Sequence, residues 1–156
     1  SMSTWDEAEQ AVNKADGGTF LRLANDGDKA VIVFVGDPLV RHVVWKVEKY
    51  EPAEDHPGEK SSTKIAINVY CVADKTMRVF EGGPAWFKQV LKVREKYGLD
   101  AWSFEMCRSG AAKDPKTTYA ILPDEKITRE LRAEVDAAEL HDLSTMLLAS
   151  PKSERI

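Results

Sequence analysis

One helix with marked ends divides two sets of strand-like segments, and this arrangement constrains the fold more than any other feature. The run "GGPAWFKQVLKVREKYG" opens on Gly82-Gly83-Pro84, which places proline at the first helical position, and closes on Gly98 as a left-handed cap. Phe87, Val90 and Leu91, flanked by Trp86, Val93 and Tyr97, give it a broad apolar stripe, while Lys88, Lys92 and Lys96 line the opposite side as a solvated face. Before the helix, Val31 to Val35 is a continuous β-branched run, Gly36-Asp37-Pro38 ends it, and Leu39 to Val47 reads as a second strand. The polar stretch Glu48 to Ser62 has no periodicity and reads as a loop.

A third strand, Lys64 to Ala73, alternates: Ile65, Ile67, Val69 and Cys71 face inward, and Lys64, Asn68 and Tyr70 face outward with Ala66. Asp74-Lys75-Thr76 then turns into Met77 to Phe80. After the helix, "WSFEMCRSGAAKDPKTTYAILP" gives two alternating runs around a basic, flexible tip with Arg108, Gly110, Lys113, Pro115 and Lys116. Three strands, a helix and two strands follow the order of a five-stranded OB-fold barrel with its helix between strands 3 and 4. A different α+β sheet shares the same periodicity.

The 156 residues and 43% apolar content suit one domain with a proper core. Residues 20–123 form that core. Residues 1–19 read as an N-terminal helical extension, with Trp5, Ala8 and Val12 at helical spacing before Asp16-Gly17-Gly18. Residues 124–156 read as a C-terminal helical extension: Ile127, Leu131, Val135 and Ala138 are in helical phase, and Leu140, Leu143 and Leu147 continue in a shifted one. A break is expected near Asp136, with Asp136 and Glu139 spaced as a capping box.

The net charge of −4 excludes a uniformly basic chain, but it divides unevenly: −3 over residues 1–30, +2 over 31–122 and −3 over 123–156. Cys71 and Cys107 form neither a disulfide framework nor a zinc pair, and two free thiols fit a reducing cytoplasm. No apolar run reaches membrane-spanning length, and the N-terminus lacks the basic and apolar parts of a signal peptide. Catalysis has little to build on. His42, His56 and His141 have no recognisable partner spacing, and Ser109-Gly110 is not a nucleophile elbow. The expectation is a non-enzyme without cofactor.

Four blocks, "FLRLANDGDKAVIVFVGDP", "RHVVW", "INVYCVADKTMRVFEGG" leading into "FKQVLKVREKYG", and "WSFEMCRSGAAKDPKTTYAILP", span Phe20 to Pro123, about two thirds of the chain. In this order they resemble phage-encoded single-stranded DNA-binding proteins with an OB core, distantly similar to the helix-destabilising protein of T-even phages. The resemblance implies a protein that coats exposed strands during phage or prophage DNA replication, recombination or repair in a bacterial cytoplasm. Some members of that group carry a Cys-rich zinc insertion between the second and third strands. Here Glu48 to Ser62 holds His56 and no cysteine, so no metal is expected. Many also recruit replication partners through a disordered acidic tail, whereas this chain ends in an acidic amphipathic helix and "KSERI".

An OB surface binds single strands by combining positive charge with aromatic faces. Tyr70 is the outward ring, with Lys64 and Asn68 on its face; the alternative is an ordinary surface tyrosine. Trp45 shares the parity of Val43 and Val47, which fits a core tryptophan, while its place in "RHVVWK" offers it for binding. Arg41 and Lys46 could line a groove if the strand bends there. In a barrel the last hairpin borders the groove, so Arg108, Lys113, Lys116 and Tyr119 are its phosphate and base contacts; the alternative is a plain soluble tip. The expected partner is single-stranded DNA, and the same contacts serve RNA. Replication or recombination proteins could dock on the C-terminal helix, and a homo-oligomer is a further option. The rival function is a protein-interaction adaptor using the barrel and that amphipathic helix.

Overall fold

The computed structural model describes residues 3–5, 7, 8 and 18–148. The N-terminal helix expected around Trp5, Ala8 and Val12 extends outside the described residues, and Trp5 itself is exposed. The fold is mainly β: β1 (Lys29–Lys46), β2 (Lys49–Pro52), β3 (Ser62–Cys71), β4 (Thr76–Gly82), α1 (Pro84–Tyr97), β5 (Trp102–Ser109), β6 (Thr118–Lys126), α2 (Arg129–Ala137) and α3 (Leu143–Leu148). All strand pairs are antiparallel, in the order β4-β3-β1-β5-β6, with β2 on the end of β1.

The expected first and second strands are one strand. β1 pairs with β3 on both sides of Gly36-Asp37-Pro38, and the register shifts between Val35 opposite Asn68 and Leu39 opposite Ala66. Gly36 supplies the left-handed φ of 73° that this bulge requires, and the bulge accommodates Pro38 within a strand. The residues that looked like a strand end instead bend a continuous strand. Its first half pairs with β5, from Lys29 opposite Cys107 to Ile32 opposite Phe104, so the sheet curls around β1.

The curl does not close into the expected barrel. The outer edge of β4 is occupied by the lead-in segment: Val79 donates its N–H to the Thr19 carbonyl at 2.7 Å and accepts from the Leu21 N–H at 2.9 Å. These backbone groups would otherwise be free to pair with β6. α1 packs against β6 and β3, and between the two edge strands the rings of Phe80 and Tyr119 lie edge to face at 5.5 Å. The result is a six-stranded open sheet.

The concave side holds the main core, with Ile32, Phe34, Ile67, Val69, Phe104 and Met106 buried beneath Trp86 and Val90 of α1. Trp86 donates its indole N–H to the Met106 sulfur at 3.1 Å. Leu91, expected in the apolar stripe, is 45% exposed. No helix among the described residues is long and apolar enough to cross a membrane.

The convex side is covered as well, and here the expectation for β3 fails. Residues 65–71 are all buried, because α2 and α3 lie on the face assigned to solvent. Tyr70 packs with Val33, Met77 and Val135, and Ala66 packs with Val79 and Leu143. Burial, reinforced by Glu134, pushes the Tyr70 hydroxyl up to about 12, the signature of a ring held away from water. Asn68 fixes this cover: its side-chain amide donates to the His141 carbonyl at 3.1 Å and its oxygen accepts from the His141 N–H at 2.9 Å.

β6 runs through Pro123 and Asp124 to Lys126, so the C-terminal extension begins later than expected. α2 is capped by Thr128, whose hydroxyl accepts from the Leu131 N–H at 3.1 Å. The break after α2 occurs as the phase shift predicted, but Asp136 lies inside α2 and Asp142 is the capping residue, accepting from the Thr145 N–H at 3.2 Å.

Candidate nucleic-acid interface

Trp45 escapes the core because of where β1 loses its neighbour. The last β1–β3 pair is Val43 with Ser62, and beyond it β1 pairs only with β2, placing Trp45 opposite Tyr50 on a two-stranded arm. Val43 is 2% exposed, whereas Trp45 is 59% exposed. Parity identified the face, but no layer covers that face beyond Val43. The rings of Trp45 and Tyr50 meet edge-on, 4.9 Å apart. Lys64 Nζ lies 5.1 Å and the Arg41 guanidinium 5.7 Å from the centre of the Tyr50 ring, as cation–π partners. Beside the arm is a cleft of about 400 Å³ lined by Val40, Arg41, Val43, Pro52 and Leu147.

The arm carries little net field. Residues 41–64 contain five Lys or Arg and five Asp or Glu. Lys46 pairs with Glu59, which holds that carboxyl below the usual range, and His56 bridges Glu51 at 2.8 Å and Glu59 at 3.1 Å. Arg41 makes a bidentate pair with Glu81, both contacts at 2.8 Å. Arg41 and Lys46 are therefore neutralised locally, while Lys64 lies over the ring and makes no ion pair among the described residues. The arm offers aromatic surface more than charge.

The β5–β6 tip lies at the other end of β1, docked on the turn that precedes it. Gly27 N–H donates to the Arg108 carbonyl at 2.9 Å, and Gly110 N–H donates to Asp26 Oδ1 at 2.9 Å. The Arg108 side chain is a scaffold and not a free cation. Its nitrogens donate to the carbonyls of Gly110, Leu23 and Ala111 at 3.0, 3.1 and 2.7 Å, to Thr117 Oγ1 at 3.0 Å and to the Tyr119 hydroxyl at 3.5 Å. Arg108→Ala should thus destabilise the fold by about 1–3 kcal/mol, well above the cost of losing an exposed charge. Urea unfolding measures this, and a loss within about 0.5 kcal/mol would contradict the scaffold role. Tyr119 is half-buried against Phe80. Lys113, at a φ of 64°, and Lys116 remain exposed on the tip.

The sequence-derived residues accordingly separate into three places. Arg41, Trp45, Lys46 and Lys64 gather on or beside the arm around Tyr50, which sequence reasoning left in a loop. Arg108, Lys113, Lys116 and Tyr119 gather at the opposite hairpin, and Tyr70 belongs to neither group. The convex face of β3 and β4 between these ends lies under α2 and α3, a segment that carries Glu130, Glu134, Asp136, Glu139 and Asp142.

Cys71 is buried, and burial pushes its thiol up to about 12, while Cys107 is half-buried. Among the described residues no three His, Cys, Asp or Glu side chains come together as a metal site. Compared with protein-family models, curated proteins and solved structures, the chain finds no match.

Proposed function

We propose that this chain is a sequence-tolerant single-stranded DNA-binding protein with an OB-type core, which occupies exposed strands during phage or prophage replication, recombination or repair. The observation that carries this reading is the Trp45–Tyr50 ring pair, solvent-accessible on an arm beside Lys64. Rings in water with a cation at hand are what base stacking needs, and stacking is indifferent to sequence because every base has a π-face. The order of the long strands supports it: β1, β3 and β4, then α1, then β5 and β6, with β2 as an addition in the first loop. Against the adaptor reading, Leu131 and Val135 of α2, with Ile127 just before it, already pack on the chain's own sheet.

Anisotropy titration of a labelled oligo(dT), against duplex and RNA of equal length at two salt concentrations, tests the proposal. Binding to oligo(dT) is expected at micromolar concentration or tighter in low salt, with clear preference over duplex. Of the expected contact cations, Lys64, Lys113 and Lys116 have no carboxylate partner among the described residues, so the log–log salt slope should be about 2, at roughly 0.7 per phosphate contact. Equal affinity for duplex contradicts the proposal, and an adaptor would bind no strand at any salt.

A further inference from the structure

The arm ends in a two-residue turn, Val47-Glu48, with φ of 29° and 70°. Positive φ at both central positions is the type I′ hairpin pattern, and Asn-Gly or Asp-Gly adopts it without strain. A β-branched residue is an outlier there, held at a cost of order 1–3 kcal/mol. Val47 gains no compensating burial, being 92% exposed. The chain therefore holds an apolar side chain on strained backbone at the tip of the same arm that presents Trp45 and Tyr50.

The neighbours of Val47 narrow what it can meet. Lys46, Glu48 and Lys49 surround it in sequence, so Val47 is the single apolar side chain among them, and the exposed apolar residues next along the arm are the rings of Trp45 and Tyr50. A single apolar side chain on a narrow projection beside stacking rings suits the space between two adjacent bases, where apolar wedges part a stacked step. We propose that Val47 is such a wedge. It enters between neighbouring bases of a bound single strand, and Trp45 stacks on one of the bases so parted. This inference rests on the strand-binding reading above.

The test uses the full chain and a single-stranded oligonucleotide with one 2-aminopurine between adenines, whose fluorescence rises when its stack is broken. At saturation the parent should raise it several-fold. The double variant Val47→Asn, Glu48→Gly carries preferred turn chemistry, so its urea midpoint should rise while it loses most of the enhancement and about three- to tenfold in affinity. Val47→Leu should retain the enhancement. If the parent binds without enhancement, or the double variant enhances as the parent does, the wedge is overturned while strand binding stands. If the parent binds no strand, the functional reading falls and the wedge falls with it.

Discussion

Phe104→Ala is expected to lower the free energy of unfolding by about 3–5 kcal/mol, the range for removing a large aromatic side chain from a packed interior. Phe104 is 0% exposed, its ring lies 5.8 Å from Phe34 and 6.4 Å from Tyr97, and its backbone pairs with Ile32 at the centre of the curled sheet. The cavity would open where β1, β5 and α1 meet. Leu122, opposite Glu105 on β6, is 60% exposed, and its replacement by Ala should change stability by no more than about 0.5 kcal/mol. Urea denaturation of both variants at an unchanged m-value is the check. A loss below about 1 kcal/mol for Phe104→Ala would show that the concave core is not the main source of stability.

Removing both arm rings should have the largest effect on binding. Trp45→Ala and Tyr50→Ala are each expected to weaken oligo(dT) binding by about 1–3 kcal/mol, or roughly 5- to 150-fold. The double variant should lose less than the sum, because the rings touch at 4.9 Å and each orders the other. Stability should fall by only about 0.2–1 kcal/mol, the worth of a cross-strand pair. The salt slope should not change, since neither residue holds a phosphate. Comparable losses of affinity and stability would instead mark the rings as structural.

The differences between sequence and structure have definite physical sources. α1 was legible because its ends are marked by residues with strong backbone preferences, Gly83-Pro84 and Gly98, and it spans Pro84–Tyr97. β1 was divided in two because Gly36-Asp37-Pro38 has the composition of a turn. What makes it a bulge is the continued pairing of Leu39 to Val43 with β3, a non-local fact. Three long strands do precede the helix, but they are β1, β3 and β4, with Met77 to Phe80 inside a strand in its own right.

Alternation separated the two faces of β3 correctly, yet it could not say that both are dry. The layer over Tyr70 comes from Ile127, Leu131 and Val135, far along the chain, and the barrel seam is taken by Thr19 and Leu21. For Arg108 the obstacle was chemical: a guanidinium on a tip can hold a phosphate or three carbonyls, and only the positions of Leu23, Gly110 and Ala111 decide. Tyr50 was missed because Val47-Glu48 lacks the residues that announce a hairpin, and the strain that hid the arm is the property that makes its tip noteworthy.

Intrinsic tryptophan fluorescence during oligo(dT) titration tests the central claim, that bases stack on the arm. Of the four tryptophans, Trp86 is buried beside Met106, Trp102 is half-buried beneath Lys126 and Trp5 is exposed as Trp45 is, so the titration uses a Trp5→Phe parent, in which Trp45 is placed to report the bound strand. The account predicts strong quenching in the parent and its near-complete loss in Trp45→Phe, which keeps an aromatic face and most of the affinity. Quenching of equal depth in Trp45→Phe would contradict it and place the strand elsewhere on the molecule.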